Sequence, residues 1–355
     1  MPRWRGEWRI LDANLNRARE AARVAEEYAR FVLDSEPAAA RLKELRHGLR
    51  EIAESLDGGT GRLLAARDTP GDVGTRIGTS SEAHRGSAAE VAAAALKRLE
   101  EALRVIEEYA KTESPDAAAR AEALRYEAYA LEQALLGPVA RIRDAVLYVI
   151  VTAALCRGRD VADVAAAAIR GGARVIQLRE KEADDEEVLH SARRLQAVAA
   201  DLRALFIVND RVDVAAASGA DGVHLGQADL PCREARKLVG PGAVIGVSTH
   251  SMEQAREAVA DGSTYIGVGP VFPTKTKAPE RLAGIEYVRA AATGIGIPFF
   301  AIGGITAQNV GAVVEAGAKR VAVCRAVVGA DDVEAAARSI RDQLPAPADE
   351  AGTDE

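Results

Sequence analysis

The sequence is poor in aromatic residues, in cysteine and in long apolar runs. Aromatic residues make up 4% of 355, and Asp and Glu (53) outnumber Lys and Arg (46), giving a net charge of −7. An acidic chain with few aromatic rings lacks the basic surface and stacking platforms typical of general nucleic-acid-binding proteins. We therefore expect small molecules, and no nucleic acid, as binding partners.

Neither a membrane span nor a secretory signal is predicted. The longest apolar run, Ala145 to Cys156, is too short to cross a bilayer. The amino-terminal MPRWRGEWRI lacks the apolar centre of a signal peptide. The three cysteines lie far apart with no CxxC spacing, so neither a disulfide framework nor a zinc site is indicated. We expect a cytoplasmic protein without membrane contact.

The first part of the chain, residues 1–137, has the three-to-four apolar spacing of helices. Two of its segments align without gaps: LNRAREAARVAEEYAR (Leu15–Arg30) and LKRLEEALRVIEEYAK (Leu96–Lys111). The alignment predicts an internal duplication and an all-α domain built as a helical bundle. Gly, Pro, Asp and Thr dominate Ala66–Glu82 between the repeats, which predicts a long loop.

After Gly137 and Pro138, short β-branched runs alternate with Ala-rich helical stretches. The predicted strands are Val146–Thr152, Arg174–Leu178, Leu205–Val208, Gly222–Leu225, Val244–Val247, Tyr265–Val268, Phe299–Ile302 and Arg320–Val323. Eight strand–helix units within about 200 residues predict a (β/α)8 TIM barrel over residues 141–344. The tail, residues 345–355, is predicted to be disordered.

Polar side chains follow several of these strands, where the chemistry of such barrels takes place. Strand side chains alternate, so Gln177, Arg179 and Lys181 share one face at the end of the second strand. An amide and two cations at a barrel mouth suit a polyphosphate. Asp210 and Asp229 follow the third and fourth strands, and two neighbouring carboxylates suit Mg²⁺.

The sixth and seventh strands predict a covering loop and a second anion site. Residues 269–277 are framed by Gly and Pro and carry Thr274, Thr276 and Lys277, a segment able to close over a ligand. The paired glycines Gly303 and Gly304 then precede a helix, where backbone N–H groups can bind a phosphate.

Together these segments resemble the thiamine-phosphate synthase family. The matching strings are QLREK (177–181), ND (209–210), HLGQAD (224–229), GVST (246–249), GPVFPTKTK (269–277) and AIGGI (301–305). They cover about residues 140–340, in order and at the expected strand ends. The resemblance implies that a pyrimidine-methyl diphosphate is joined to a thiazole phosphate with release of pyrophosphate.

The resemblance also implies roles for individual residues. The residues implied to bind the diphosphate are Gln177, Arg179, Lys181 and Lys277, of which Arg179, Lys181 and Lys277 would act in catalysis. The residues implied to hold Mg²⁺ are Asp210 and Asp229. Those implied to contact the pyrimidine or line the site are Asn209, Ser248, Thr274 and Thr276. Gly304 would donate its N–H to the thiazole phosphate.

The end of the last strand departs from the family pattern. Cys324 and Arg325 stand where the family usually has a small residue such as serine, so their contact with the thiazole phosphate is an expectation from position alone. No general base is needed if the electron-rich aminopyrimidine stabilises a carbocation. The alternative is a thiazole tautomerase-like or other phosphate-binding barrel, which the joint presence of Arg179, Lys181, Asp210 and Asp229 disfavours.

The helical half resembles an extension found ahead of some synthases, a family assigned hydroxymethylpyrimidine-phosphate kinase activity. The resemblance lies in LDANLNRAREAARVAEEYARF, LRH (45–47) and ARDTPGDVGT (66–75). It implies ATP as a co-substrate, although no Walker-type or kinase glycine-rich loop is present. The candidate residues are Asn14, Arg17, Arg19, Arg23, Arg67, Asp68 and Asp72. The alternatives are exposed ion pairs for the arginines and a non-catalytic bundle used for docking or for forming a homo-oligomer.

Overall fold

The structure is a computed structural model that describes residues 4–33, 35–69, 88–274 and 282–346. The chain divides into two compact units at the step from Gly137 to Pro138. The predicted tail falls almost wholly outside the described residues, as does most of the loop predicted between the helical repeats. None of the helices in the described part is long and apolar enough to cross a membrane.

The first unit consists of helices. Its described helices are α1 (Trp4–Phe31), α2 (Glu36–Asp57), α3 (Arg62–Ala66), α4 (Ala88–Ala110) and α5 (Pro115–Leu136). Their apolar residues meet in one core that includes Leu11, Leu42, Leu49, Leu99 and Leu131. Helix α1 packs against α2, α3 and α4, and α5 packs against α2 and α4. This arrangement confirms the predicted all-α region.

The helix ends follow from local chemistry. The Ser114 hydroxyl accepts a hydrogen bond from the Ala117 N–H, and Pro115 follows it at the first helical position of α5. Helix α2 ends at Gly58, whose left-handed φ of 54° is a conformation that glycine adopts without a steric cost.

The internal duplication extends further than the aligned segments on α1 and α4. SEPAAARLKELR (35–46), leading into α2, aligns without gaps with SPDAAARAEALR (114–125), leading into α5. The connection before α5 is two residues shorter than the one before α2. The α2 and α5 segments are therefore out of register when the sequence is aligned on α1 and α4. Each repeat is therefore a helical hairpin, α1–α2 and α4–α5.

Each hairpin builds the same ion pair around a buried glutamate. In the first, Glu26 is paired with Arg46 of α2 at 2.5 Å; in the second, Glu107 is paired with Arg125 of α5 at 2.8 Å. The shared pair is the structural consequence of the aligned sequences, because both partners occupy equivalent positions in the two repeats.

The second unit begins with α6 (Pro138–Asp144), three residues before the predicted start of the barrel. Its strands are β1 (Leu147–Val151), β2 (Val175–Leu178), β3 (Leu205–Asn209), β4 (Gly222–Leu225), β5 (Val244–Thr249), β6 (Tyr265–Val268), β7 (Phe299–Ile302) and β8 (Val321–Val323). Each strand pairs in parallel with the next, and β8 pairs with β1, so the barrel is closed. The predicted TIM-barrel fold is confirmed.

The remaining helices of the barrel unit lie between its strands or after β8. After a 3₁₀ turn at Ala153–Leu155 they are α7 (Val161–Arg170), α8 (Asp185–Asp201), α9 (Val212–Ser218), α10 (Cys232–Val239), α11 (Met252–Ala260), α12 (Gly284–Gly294), α13 (Val310–Glu315), α14 (Arg325–Val328) and α15 (Val333–Arg341). Outward-facing strand residues such as Ile176 and Phe206 pack with these helices. Inward-facing residues such as Val175 and Leu205 form a separate core inside the barrel.

Candidate active site at the carboxyl ends of the barrel strands

A chain of hydrogen bonds crosses the interior of the barrel. The Gln177 Nε2 donates to the Tyr148 hydroxyl at 2.7 Å, and this hydroxyl lies 3.0 Å from that of Tyr265. The Tyr265 hydroxyl lies 2.9 Å from His224 Nδ1, and His224 Nε2 lies 2.9 Å from Ser248 Oγ. Two residues predicted to bind substrate, Gln177 and Ser248, are thus the two ends of one network.

The two tyrosines of this network were not among the predicted site residues. Burial raises the pKa of Tyr148 and of Tyr265, so both hydroxyls stay protonated. Tyr265 fits inside the barrel because residue 246 is glycine: a Cβ there would lie 2.1 Å from the tyrosine ring. The sequence could have indicated them, because a tyrosine at an inward-facing strand position needs a buried hydrogen-bond partner for its hydroxyl.

Two carboxylates lie side by side at the ends of β3 and β4. Asp210 follows β3 with a left-handed φ of 61°, and its N–H donates to the His224 carbonyl at 2.8 Å. The Asp229 Oδ2 accepts a hydrogen bond from the Gly226 N–H at 2.6 Å. Burial and the neighbouring Asp229 raise the pKa of Asp210, while Lys181, 3.4 Å away, acts in the opposite direction.

This donor set fits a divalent cation. Two adjacent carboxylates repel each other when both are ionised, and a cation between them removes that repulsion. Within the described residues, no group of three or more His, Cys, Asp or Glu side chains is placed to hold a metal. A cation on Asp210 and Asp229 would therefore keep positions for water and for phosphate oxygens, as Mg²⁺ usually does.

The paired glycines lie on the opposite side of the mouth, after β7. Gly303 and Gly304 have φ values of 103° and 65°, and a Cβ on Gly303 would lie 2.6 Å from Pro270. The segment after β6 packs against them, since the Phe272 N–H donates to the Gly303 carbonyl at 3.0 Å. Asn309 Nδ2 donates to the Gly304 carbonyl at 2.9 Å and so fixes the turn.

Cys324 and Arg325 follow β8, next to this turn in the barrel order. Burial raises the pKa of the Cys324 thiol to about 11, although the positive charges of Arg179 and Arg325 act in the opposite direction. The structure therefore brings Arg179, from the end of β2, to the same part of the mouth as Cys324. Asn209 is the last residue of β3 and is paired in register with His224.

The covering segment is described only in part. Thr274 lies within the described residues and is half-buried, but Thr276 and Lys277 lie outside them. The roles predicted for these two residues stay predictions.

Two protein families match the two units of the chain. The family described as "Thiamine monophosphate synthase" matches residues 147–327, and the one described as "ThiD2 family" matches residues 9–134. The chain is 45% identical to the thiamine-phosphate synthase of Synechocystis over 95% of its length and 96% of the relative. The chain belongs to the thiamine-phosphate synthase family.

Two further members of the family support the assignment. The thiamine-phosphate synthase of Gloeobacter violaceus is 48% identical over 91% of this chain and 93% of its own length. The solved thiamine phosphate pyrophosphorylase of Pyrococcus furiosus is 38% identical, with a TM-score of 0.53, and covers 57% of this chain and 96% of its own. The matched part of this chain is therefore a little more than half of its length, which is also about the share of the barrel unit.

In the helical unit, the predicted residues do not form one cluster. Arg67 makes a bidentate pair with buried Asp12 of α1, at 2.8 Å for both bonds, and Asp68 pairs with Arg9 at 3.6 Å. Arg23 lies eleven residues beyond Asp12, about 16 Å along the helix, and is paired with Glu27 at 2.5 Å. Arg23 thus makes the ion pair considered as the alternative.

The remaining members of this set have simpler surroundings. Asn14 is buried and donates to the Ile10 carbonyl at 2.9 Å, one turn earlier in its own helix. Arg17 and Arg19 are exposed on α1, and Asp72 lies outside the described residues. Asp12 was not among the predicted site residues; its signal in the sequence was the run LDANLN, which places Asp12 and Asn16 one turn apart.

Proposed function

We propose that the barrel joins 4-amino-2-methyl-5-hydroxymethylpyrimidine diphosphate to 4-methyl-5-(2-hydroxyethyl)thiazole phosphate. The products are thiamine phosphate and pyrophosphate. The observation that carries the proposal is the placement of Asp210 and Asp229 beside Lys181 at the barrel mouth. The thiamine-phosphate synthase relatives along nearly the whole chain support the same reaction.

In the proposed mechanism, the bond between the pyrimidine methylene carbon and the diphosphate oxygen breaks first. The electron pair leaves with the diphosphate, whose charge Arg179, Lys181 and Gln177 stabilise. When bound, Mg²⁺ would be held by Asp210 and Asp229 and would supply further positive charge to the leaving group. The amino group of the pyrimidine stabilises the resulting carbocation.

The thiazole nitrogen then attacks the methylene carbon and forms the new C–N bond, so no proton has to be removed. Asn209 and Ser248 hold the pyrimidine, and the chain of hydrogen bonds from Gln177 to Ser248 keeps both ends at fixed positions. The thiazole phosphate binds at the Gly304 N–H, beside Cys324 and Arg325. Lys277, Thr274 and Thr276 complete the site from the covering segment.

The test is pyrophosphate release by the full chain given both organic substrates and Mg²⁺. We expect equal amounts of pyrophosphate and thiamine phosphate, and neither when one substrate or Mg²⁺ is omitted. Absence of both products would reject the synthase assignment. Conversion of a thiazole phosphate isomer without consumption of diphosphate would instead support the tautomerase alternative.

We also propose that the helical unit phosphorylates the pyrimidine monophosphate with ATP and so makes the diphosphate that the barrel consumes. The match of residues 9–134 to the ThiD2 family supports this step. The test uses the full chain with Asp210→Ala, in which the diphosphate should accumulate. If no diphosphate forms from the monophosphate and ATP, the helical unit is not a kinase. Deletion of the helical unit would then test whether it serves to form a homo-oligomer, with the oligomeric state as the measurement.

A further inference from the structure

A cleft rich in cations lies between the end of α1 and the beginning of α2. It has a volume of about 750 Å³, a size typical of small-molecule sites. Its charged lining residues are Arg23, Arg30, Lys43, Arg46, Glu26 and Glu36. The cleft is cationic although the chain has a net charge of −7. We call it the first-hairpin cleft.

The four cations that line the cleft outnumber the two acids paired with them, Glu26 and Glu27. Glu27 pairs with Arg23 at 2.5 Å and with Arg30 at 3.8 Å. Three guanidinium groups surround the buried Glu26, with Arg46 at 2.5 Å, Arg23 at 3.7 Å and Arg30 at 4.0 Å. Lys43 is exposed and forms no ion pair with any residue that the structure describes. Positive charge is therefore available to a ligand entering the cleft.

The second hairpin shows the same framework without this excess. The position equivalent to Lys43 is Glu122, which lies 4.0 Å from Arg125. Arg125 also donates to the Tyr129 hydroxyl at 3.1 Å, and its side chain is 9% exposed, against 34% for Arg46. In this repeat, the arginine is satisfied within the protein.

An aromatic ring borders the first-hairpin cleft. Phe31 lines it and is 67% exposed, and the Arg30 guanidinium lies 4.7 Å from the centre of its ring. The equivalent residue in the second hairpin is Thr112. A flat apolar ring next to several cations suits a ligand that combines an aromatic ring with phosphate groups.

We propose that the first-hairpin cleft binds a phosphorylated aromatic ligand, with Lys43, Arg30 and Arg46 on the phosphates and Phe31 against the ring. Both a nucleoside triphosphate and a pyrimidine phosphate have this chemistry. The binding of such a ligand does not depend on the proposed kinase function. Only the choice between the two natural ligands rests on that function.

The test is calorimetric binding to the full chain carrying Arg179→Ala and Lys181→Ala, which removes two of the cations predicted to bind phosphate at the barrel mouth. The probes are adenylyl imidodiphosphate, inorganic triphosphate and the pyrimidine monophosphate. Lys43→Glu gives the first hairpin the charge of the second, and we expect about tenfold weaker binding of the ligand, or more, with a larger loss at low salt. Phe31→Ala should weaken the two aromatic probes but leave triphosphate unchanged.

Arg98→Glu is the matched control, because it makes the same charge change at an exposed position of α4. We expect it to leave binding unchanged. Equal binding by Lys43→Glu and Arg98→Glu, or no binding of any probe to the parent chain, would overturn the proposal. The melting temperature of each variant tests whether a loss of binding comes from unfolding. Lys43→Ala, a milder change at the same position, is measured alongside.

The kinase assay separates the two proposals. Binding that depends on Lys43 without formation of diphosphate would retain the cleft and reject the kinase. Formation of diphosphate at the parent rate and with the parent KM for ATP in Lys43→Glu, together with unchanged binding, would retain the kinase and reject the cleft.

Discussion

At the barrel mouth, two carboxylates lie next to each other and Asp210 pairs with Lys181, whereas in the helical unit the buried Glu26 and Glu107 are paired with arginines. Burial and the neighbouring carboxylate of Asp229 raise the pKa of Asp210. Glu26 and Glu107 are paired with Arg46 and Arg125 from the following helix. A carboxylate with a raised pKa at a barrel mouth is a candidate ligand site, whereas a buried ion pair is costly to break when one partner is removed.

Removal of a cation from the barrel mouth should have the largest effect. We expect Arg179→Ala to lower kcat/KM for the pyrimidine diphosphate by about 100-fold or more, because a leaving group with several negative charges loses a charged hydrogen-bond donor. Steady-state pyrophosphate release measures the change. The control Arg170→Ala removes an exposed arginine paired with Glu334 and should keep the parent rate; equal losses in both would remove Arg179 from the site.

Removal of a buried acid from the helical unit should lower stability. We expect Glu107→Gln to reduce the free energy of unfolding by about 2–3 kcal/mol, because Arg125 is left buried without its partner. Glu26→Gln should cost about 1 kcal/mol, since Arg46 is more exposed and can turn to water. Urea denaturation of the full chain measures both, and a larger loss for Glu26→Gln would contradict the comparison of the two hairpins.

The hydrogen-bonded chain inside the barrel should contribute a smaller amount. We expect Tyr148→Phe to cost about 1–2 kcal/mol of unfolding free energy, because Gln177 Nε2 and the Tyr265 hydroxyl lose a buried partner. Tyr109→Phe, which changes an exposed tyrosine of α4, is the matched control. Equal denaturation midpoints for the two variants would mean that the network does not stabilise the barrel.

The cysteines should show the smallest effect. All three lie in the barrel unit, and burial raises the pKa of Cys156, Cys232 and Cys324 to about 11. The neutral thiol therefore predominates near pH 7.5, and alkylation by iodoacetamide should be slow and leave the activity unchanged. The rate should rise as the pH approaches 11. Rapid inactivation at neutral pH would show that Cys324 carries a thiolate at the mouth.

The barrel was more predictable from sequence than the helical unit for a physical reason. Each strand end carries its polar residues within a few positions, so local strings place Gln177, Asp210 and Gly304 correctly on their elements. Tyr148 and Tyr265 could not be found this way, because their hydrogen-bond partners lie on other strands. The ion pair of Glu26 with Arg46 joins two helices, so it cannot be read from one local segment. The second repeat has a shorter connection between its helices, and an alignment without gaps therefore does not show that Arg125 is equivalent to Arg46.

The role of Asp210 and Asp229 in holding Mg²⁺ is tested by the Mg²⁺ dependence of pyrophosphate release in Asp210→Asn, compared with Asp201→Asn. Asp201 is an exposed carboxylate at the end of α8, before β3, and is the matched control. We expect Asp210→Asn to lose at least about 100-fold of the metal-dependent rate, while Asp201→Asn keeps the parent rate. An Asp210→Asn chain with the parent rate and the parent Mg²⁺ dependence would contradict that role.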